Sequence, residues 1–383
     1  MTAILFFLVL SSLVLAHELG HFLVARFFGI KAHEFGIGFP PRIFGYVREG
    51  KKWKKISRQD THIYKNTIIS INYLPFGGFV KIKGEDAQEK HDTDSILSKP
   101  MYQRMLVVSA GVMMNWLMAI ILLTIVFTAG VETDLYNIPI SAHITNKKIV
   151  ASEILPNAPA DIAGMKMNDS IRTINGHAFA NAEMARDLIR DASKVGPVFI
   201  EWSHHSEHLI DDRVWTANIA PVEITEIKTM GIGIALVDRG VVSFSFPESI
   251  IQAVFMTAHM TWTLVAGLGS LVKNIFVTHH VTQDVSGPVG IAVMTGEAAR
   301  MGFISLLQFA AMLSINLAVV NILPIPALDG GRLLFMIIEK IRRKPMNIRF
   351  ETGVHNIAFM LLILLVIFVS VRDVARLTHV FGM

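Results

Sequence analysis

Cysteine is absent from this 383-residue sequence. Disulfide bonds and cysteine-bound metals are therefore excluded, and any metal must be held by histidine and carboxylate side chains. Charge is also scarce, at 17% of the residues and a net value of +4. The basic residues do not form one face with interleaved aromatic side chains, as a nucleic-acid-binding surface would. We therefore expect no nucleic-acid partner.

Hydrophobic residues, in contrast, make up 52% of the chain, and long polar stretches separate the apolar ones. This composition predicts a membrane protein with an embedded soluble domain. A helix needs about 20 apolar residues to cross about 30 Å of hydrocarbon. We therefore predict a polytopic α-helical membrane protein with four transmembrane helices, at roughly Thr2 to Phe28, Met105 to Ala129, Ile304 to Leu328 and Val354 to Val371.

Basic residues predict the orientation of these spans, because cytoplasmic loops carry an excess of lysine and arginine. They follow the first span at Arg26, Lys31, Arg42, Arg48, Lys51, Lys52, Lys54, Lys55 and Arg58, and the third at Arg332, Lys340, Arg342, Arg343 and Lys344. Both loops should be cytoplasmic, which places residues 130–303 and both termini outside. Arg372 and Arg376 weaken this bias. The first span has no basic n-region and no small-residue cleavage site, so we do not expect a signal peptide.

The first span contains the sequence His17-Glu18-Leu19-Gly20-His21. Residues four apart share one face of a helix, so His17 and His21 can bind one Zn²⁺ while Glu18 acts as a general base. Ionisable groups at membrane depth are costly, which favours a functional interpretation. A chance occurrence of the motif is the alternative.

A catalytic zinc usually has three protein ligands, so a third must come from elsewhere. Our candidate is Asp329, in the segment Asn321-Ile322-Leu323-Pro324-Ile325-Pro326-Ala327-Leu328-Asp329-Gly330-Gly331 at the end of the third span. Its prolines and glycines should break the helix, and non-helical backbone at membrane depth must line protein or a watery cavity. The alternative is a loop in which Asp329 caps a helix beginning near Leu333. His₂Asp suits Zn²⁺, although ligand type alone leaves Co²⁺ or Fe²⁺ open.

The depth of Asp329 constrains the topology. Asp329 lies at the depth of the two histidines only if the first and third spans cross the membrane in the same direction. The chain must then cross the membrane an even number of times between Ala129 and Ile304. The apolar stretch Ile250 to Val277 has the length of a fifth span. We predict that it lies at the outer interface as an amphipathic helix. A true transmembrane span is the alternative.

Apolar residues alternate between Thr67 and Lys83, on both sides of Pro75-Phe76-Gly77-Gly78. This pattern predicts a membrane-associated β-hairpin. We expect one of its edges to pair with an unwound substrate as an added strand. A cytoplasmic hairpin without a substrate role is the alternative.

Together these features resemble the site-2 protease family of intramembrane zinc metalloproteases, in particular the bacterial regulator-of-sigma-E protease group. The resemblance covers nearly the whole chain and depends on HELGH at 17–21, FGIGFP at 35–40, LPFGGFV at 74–80, GPVGI at 287–291 and NILPIPALDGG at 321–331. It implies that His17, His21 and Asp329 bind zinc and that Glu18 activates water. It also implies that Asn321, Pro324 and Pro326 bind or unwind the substrate helix.

The resemblance further implies a multi-pass protein of the bacterial cytoplasmic (inner) membrane that acts in regulated intramembrane proteolysis. Its partners would be the lipid bilayer and single-span substrates, such as anti-sigma factors trimmed outside the membrane and remnant signal peptides. A catalytically inactive scaffold and a membrane-anchored protease for soluble substrates are the competing hypotheses. Asn115, a polar residue within the second span, is expected either to line the cleft or to link helices.

The polar insert resembles a PDZ domain, which would lie outside the cytoplasm. The resemblance depends on residues 154–160, 163–166 and 168–176, followed by a predicted helix from Ala182 to Ala192 and predicted strands at Val195 to Ile200 and Val214 to Ile219. Asn175-Gly176 is a strong hairpin signal. Only one such unit is present, where the best-studied enterobacterial members have two. An unrelated small α+β domain is the alternative.

The predicted organisation has four parts. Residues 1–128 contain the first two spans and the hairpin, and residues 129–238 form the PDZ-like domain. Residues 239–303 form interfacial amphipathic helices and a linker, and residues 304–383 contain the last two spans. The ligand of the PDZ-like domain stays unassigned.

Overall fold

The structure is a computed structural model that describes residues 2–58, 60, 62, 64–85, 92–204, 213–224, 229–277, 287–344 and 346–380. The chain divides into two compact units. The first consists of Met1–Thr124 and Ile250–Met383, and the second of Ile125–Ser249.

The described residues form nine α-helices and eleven β-strands. The helices are α1 (Thr2–Phe27), α2 (Met101–Ala129), α3 (Pro159–Ile162), α4 (Ala182–Ala192), α5 (Phe246–Val277), α6 (Pro288–Arg300), α7 (Phe303–Ile322), α8 (Asp329–Arg342) and α9 (Ile348–Val380). The strands are β1 (Ala32–Glu49), β2 (Lys52–Ser57), β3 (Ile68–Ile82), β4 (Val131–Asp134), β5 (His143–Ile154), β6 (Ser170–Ile174), β7 (Val198–Ser203), β8 (Val214–Ile219), β9 (Val222–Ile224), β10 (Thr229–Gly231) and β11 (Ile234–Ser243).

Five helices of the described chain are long and apolar enough to cross a membrane: α1, α2, Phe246–Leu271 of α5, α7 and Arg349–Arg376 of α9. Four of them coincide with the predicted spans. The fifth, in α5, is the stretch that the sequence places at the interface, and that assignment stays a prediction. Helix α7 ends at Ile322, six residues before the approximate end of the predicted span at Leu328, where the prolines were predicted to break the helix. Leu323 is extended, as expected for a residue that precedes a proline.

The core of the first unit lies between α1, α2 and α7. Val9 and Leu13 of α1 pack against Ala310 and Leu313 of α7. Gly20 permits a close approach of α1 to α2, because a Cβ there would overlap the backbone carbonyl of Ala110. The helix pair that contains the HELGH motif is therefore tightly packed.

Helix α6 belongs to the same helical core. Its residues Thr295, Gly296 and Ala298 are buried, and a Cβ on Gly296 would overlap the side chain of Thr2. Ile291 packs against the cluster between α1 and α7. This part of the predicted interfacial segment 239–303 therefore packs within the helical bundle.

Strands β2, β1 and β3 form a sheet in that order. Residues 34–37 of β1 pair with residues 68–71 of β3 and also with residues 78–81. The predicted hairpin pairing is therefore wrong. The two arms of β3 do not pair with each other, because each pairs with the segment of β1 that lies between them. The periodicity alone carries no information on which strand lies between the two arms.

The second unit contains a six-stranded sheet of order β4-β11-β5-β6-β7-β8 around a core that includes Ile174 and the fully buried Trp202. Helix α4 and strand β8 have the predicted bounds, and β7 is displaced by three residues at each end. Asn175 and Gly176 both have positive φ, as the predicted hairpin turn requires. Strand β11 crosses the predicted boundary at residue 238, because it pairs with both β4 and β5.

Candidate metal centre

Helix α1 orients both histidines of the HELGH motif toward α2, and both are buried. The Nδ1 atom of His21 lies 2.8 Å from the backbone carbonyl oxygen of Val107. A carbonyl oxygen only accepts hydrogen bonds, so Nδ1 carries the hydrogen. The Nε2 atom of neutral His21 is therefore left with a lone pair for a metal, as is usual for metal-binding histidines.

Asp329 is the first residue of α8, and the preceding Leu328 provides no side-chain cap. The alternative in which Asp329 caps a helix beginning near Leu333 is therefore wrong. Two glycines follow Asp329 because α8 starts against the preceding loop. A Cβ on Gly330 would overlap backbone carbonyls of α7 and the loop, and one on Gly331 would lie 2.8 Å from Pro326.

His355 of α9 holds the loop that ends at Asp329. The backbone N–H of Ala327 donates to His355 Nδ1 over 2.8 Å, and Ala327 has a φ of 82°, which is uncommon for a residue with a side chain. No local sequence motif connects His355 with Asp329, so the sequence does not indicate this contact.

The structure brings His17, His21 and Asp329 together from opposite ends of the chain. Asp329 Oδ2 lies 3.0 Å from His17 Nε2 and 3.3 Å from His21 Nε2, and the two Nε2 atoms are 3.2 Å apart. Ligand atoms about 2.0 Å from a tetrahedral zinc lie about 3.3 Å from one another. Among the described residues, this is the one group of three ionisable side chains whose geometry suits a metal ion.

Gly111 of α2 makes room for the two imidazoles. A Cβ at this position would lie 2.6 Å from His17 Nε2 and would also overlap His21 Nε2. Even a methyl group would therefore enter the space where the metal-binding atoms converge. One glycine within an apolar helix has no distinctive pattern, so the sequence does not indicate this role.

Glu18 lies beside this centre and contacts the β-sheet. Its Oε2 atom accepts a hydrogen bond from the backbone N–H of Val80 in β3 over 3.1 Å. Val80 also pairs with Phe35 of β1. The edge of β3 next to Glu18 therefore borders the candidate centre.

A cavity of about 690 Å³ adjoins the centre. Glu18, His21, Val80 and Asp329 line it together with charged or polar side chains of Glu85, Arg104, Arg332, Glu351 and His355. Arg332 Nη1 donates to Glu85 Oε1 over 2.7 Å. Polar groups on the wall make the cavity suitable for water.

The three predicted substrate-binding residues lie at the end of α7 and in the loop that follows it. Asn321 is half-buried in the last turn of α7, and Pro324 and Pro326 lie in the loop before α8. None of them is among the residues that line the cavity. Their predicted substrate role stays a prediction.

Asn115 is fully buried and contacts the centre. Its Nδ2 atom lies 3.2 Å from His17 Nδ1, and its backbone carbonyl accepts a hydrogen bond from Ser314 Oγ over 2.8 Å. The residue therefore contacts a candidate ligand and joins α2 to α7, the second of the two alternatives, and it is not among the residues that line the cavity.

Comparison with known proteins gives full-length matches. The profile of peptidase family M50 matches residues 5–365. A protein named as a candidate zinc metalloprotease in Clostridium perfringens is 32% identical over 96% of this chain and 96% of its own length. The regulator of sigma-W protease RasP of Bacillus subtilis is 28% identical over 98% of this chain and 99% of its own length.

Solved structures of PDZ domains match part of the chain. The PDZ domain of an SdrC-like protein from Listeria monocytogenes is 26% identical over 24% of this chain and 92% of its own, with a TM-score of 0.21.

Proposed function

The chain belongs to peptidase family M50, and from that premise we propose that it hydrolyses peptide bonds within transmembrane segments of single-span proteins. The convergence of His17, His21 and Asp329 beside Glu18, in helices apolar enough to span a membrane, is the observation that carries this proposal. We assign zinc to the three side chains, in agreement with the names of the relatives. The donor set of two imidazoles and one carboxylate fits this metal.

Zinc in such a site polarises the scissile carbonyl and lowers the pKa of water toward about 7. Glu18 is adjacent in sequence to His17 and lines the same cavity as His21 and Asp329. Its carboxylate takes the proton from the attacking water and then donates it to the leaving amine. The polar residues that line the cavity allow water to reach the centre, although the surrounding helices are apolar.

Substrate opening is assigned to the edge of β3. A peptide bond inside a helix is shielded by its own hydrogen bonds, so the unwound segment needs replacement partners. Residues 78–81 pair with β1 on one side, while the N–H of Val80 points to Glu18 on the other. A substrate strand added at this edge would lie beside the catalytic carboxylate.

Asn321, Pro324 and Pro326 are assigned to the substrate by family resemblance. The amide of Asn321 would hydrogen-bond the substrate backbone or the developing oxyanion. The two prolines lack N–H donors, which leaves the local backbone irregular and open to an extended segment.

The substrates we propose are anti-sigma-factor-like proteins already trimmed outside the membrane and remnant signal peptides, in regulated intramembrane proteolysis. The name of the Bacillus subtilis relative, a regulator of sigma-W protease, supports this class. The chain would lie in the bacterial cytoplasmic membrane with the PDZ-like unit outside. An even number of crossings between α2 and α7 is met if α5 lies at the interface, as the sequence predicts.

The second unit is assigned as a PDZ-like domain. PDZ domains bind peptides by adding a strand to an exposed edge, so the unit would either recognise substrate termini or limit substrate size. Its sheet order and its Asn175-Gly176 turn support this assignment.

The test is cleavage of a membrane-spanning reporter by the purified full-length protein in detergent. We expect the Glu18→Gln variant to lose cleavage by about 100-fold or more while it retains its metal, because general-base catalysis contributes about 10²–10⁴-fold. Equal cleavage by both proteins would contradict the proposed mechanism, and absence of cleavage by the wild type would favour the scaffold hypothesis. Cleavage of a soluble peptide at the rate of the membrane reporter would favour the anchored protease.

A further inference from the structure

We propose that Asn115 is a positioning residue that accepts a hydrogen bond from His17 Nδ1 and thereby fixes this imidazole for metal binding. The inference rests on the proposed function, because it assumes a metal on His17 Nε2. It assigns a specific task to a buried amide in the second helix of the bundle.

Metal binding determines which imidazole nitrogen of His17 carries the hydrogen. Its Nε2 atom faces Asp329 and His21, at the point where the three ligand atoms converge. A neutral imidazole that offers the Nε2 lone pair to a metal must carry its hydrogen on Nδ1. That N–H needs an acceptor, because an unsatisfied buried donor costs about 1–3 kcal/mol.

Asn115 is the described side chain that reaches this nitrogen. Its amide lies 3.2 Å from His17 Nδ1 through Nδ2. A half-turn of the amide exchanges its oxygen and nitrogen, so Oδ1 would then face Nδ1 at a similar distance. Oδ1 has no hydrogen-bond partner among the described residues. The half-turn of the amide therefore breaks no hydrogen bond of Oδ1.

The backbone of Asn115 is fixed against α7. Ser314 of α7 donates to its carbonyl oxygen, and Asn115 is fully buried. Gly111, one turn earlier on the same face of α2, leaves room for both imidazoles. The two residues thus support the histidines from one helix, Gly111 by its small size and Asn115 by its amide.

The pair of histidines is then oriented in a consistent way. His21 Nδ1 donates to the backbone carbonyl of Val107. With its amide turned, Asn115 offers Oδ1 to His17 Nδ1 in the same way, so both acceptors belong to α2. Outer partners of this kind fix the ring orientation, and their loss lowers metal affinity by about 10–100-fold.

The experiment measures zinc affinity of the full-length protein in detergent by competition with a chelator of known affinity. We expect Asn115→Leu to weaken zinc binding by about 10–100-fold, and Asn115→Asp, which retains an acceptor oxygen, to bind at least as tightly as wild type. Thr124→Val removes a different buried polar group of α2, a hydroxyl, and should leave the affinity unchanged. Asn115→Ala replaces the leucine variant if that variant does not fold.

Two further readouts separate positioning from packing. Ser314→Ala removes the link to α7 but leaves the amide, so its zinc affinity should stay within about threefold of wild type. The visible spectrum of the Co²⁺-substituted protein should change in Asn115→Leu and not in Ser314→Ala, because only the first alters a ligand's outer partner.

The inference is overturned if Asn115→Leu or Asn115→Ala binds zinc as tightly as wild type, or if Asn115→Asp binds as weakly as Asn115→Ala. An equal loss in Ser314→Ala would also overturn it in favour of helix packing. Failure of the proposed function has a different signature, in which wild type and His17→Ala bind zinc equally.

Discussion

The backbone N–H of Val80 donates to the carboxylate of Glu18 over 3.1 Å, which joins the edge of the β-sheet directly to the candidate general base. The N–H of Val80 thus lies on the strand edge that is assigned to the substrate and also donates a hydrogen bond to the carboxylate of Glu18. An added strand with a carbonyl at this position would compete with Glu18 for the N–H. Strand addition and release of the carboxylate would then occur together.

The first prediction concerns this N–H. We expect Val80→Pro, which removes the donor, to lower cleavage of a membrane-spanning reporter by about 10-fold or more while zinc content stays at the wild-type level. Proline is tolerated where the N–H points away from the strand ladder. Val80→Ala retains the N–H and is the matched control. Equal cleavage by the proline and alanine variants would contradict a role for the donor.

The second prediction concerns Gly111. A Cβ there would lie 2.6 Å from His17 Nε2, so Gly111→Ala should displace an imidazole and lower the zinc content well below one per chain. Overpacking of this kind also destabilises, typically by about 1–3 kcal/mol. Gly267→Ala in α5 is the control, because nothing lies within 4 Å of the added Cβ. Metal analysis and thermal unfolding of both variants test the prediction, and a full zinc complement in Gly111→Ala would contradict it.

The third prediction concerns His355, which accepts the N–H of Ala327 two residues before Asp329. His355→Ala leaves this donor without an acceptor, at a cost of about 1–3 kcal/mol, and should loosen the loop that presents the carboxylate. We expect weaker zinc binding in a chelator competition. His355→Asn, which retains an acceptor, should lose less, and Leu361→Ala on an exposed part of α9 should lose nothing. An alanine variant with wild-type affinity would show that the loop does not need this bond.

The fourth prediction concerns removal of the metal. A ligand that binds only the folded state stabilises it by RT ln(1 + [L]/Kd), about 4 kcal/mol at 1,000 times Kd. A chelator should therefore lower the Tm of the wild-type protein by several degrees, and added Zn²⁺ should restore it. The double variant His17→Ala and Asp329→Ala should show no chelator effect. An equal shift in wild type and double variant would indicate a metal bound elsewhere.

Much of the helical architecture was predictable from the sequence, because long apolar runs have few folding alternatives. Four predicted spans coincide with long apolar helices, and the HELGH motif and Asp329 converge as their spacing and depth predicted. The end of α7 at Ile322 also has a local cause in Pro324, although the predicted span extended to Leu328. These features depend on local sequence or on membrane depth.

The remaining features depend on contacts between distant segments. The insertion of residues 34–37 between the two arms of β3 is a choice of strand partners, which alternation of apolar residues does not specify. Gly111 and Val107 of α2 and His355 of α9 surround the centre from two distant segments that have no motif of their own. They become recognisable only when the helices are packed against one another.

The most direct test of the central claim, a zinc site shared between α1 and α8, is the zinc K-edge X-ray absorption spectrum of the purified full-length protein. The account predicts one zinc per chain with nitrogen and oxygen ligands at about 2.0–2.2 Å, including two imidazoles. The imidazole signal should fall by about half in a His17→Ala variant that retains metal. A wild-type zinc without imidazole ligands, or a spectrum unchanged by both His17→Ala and Asp329→Ala, would contradict the claim.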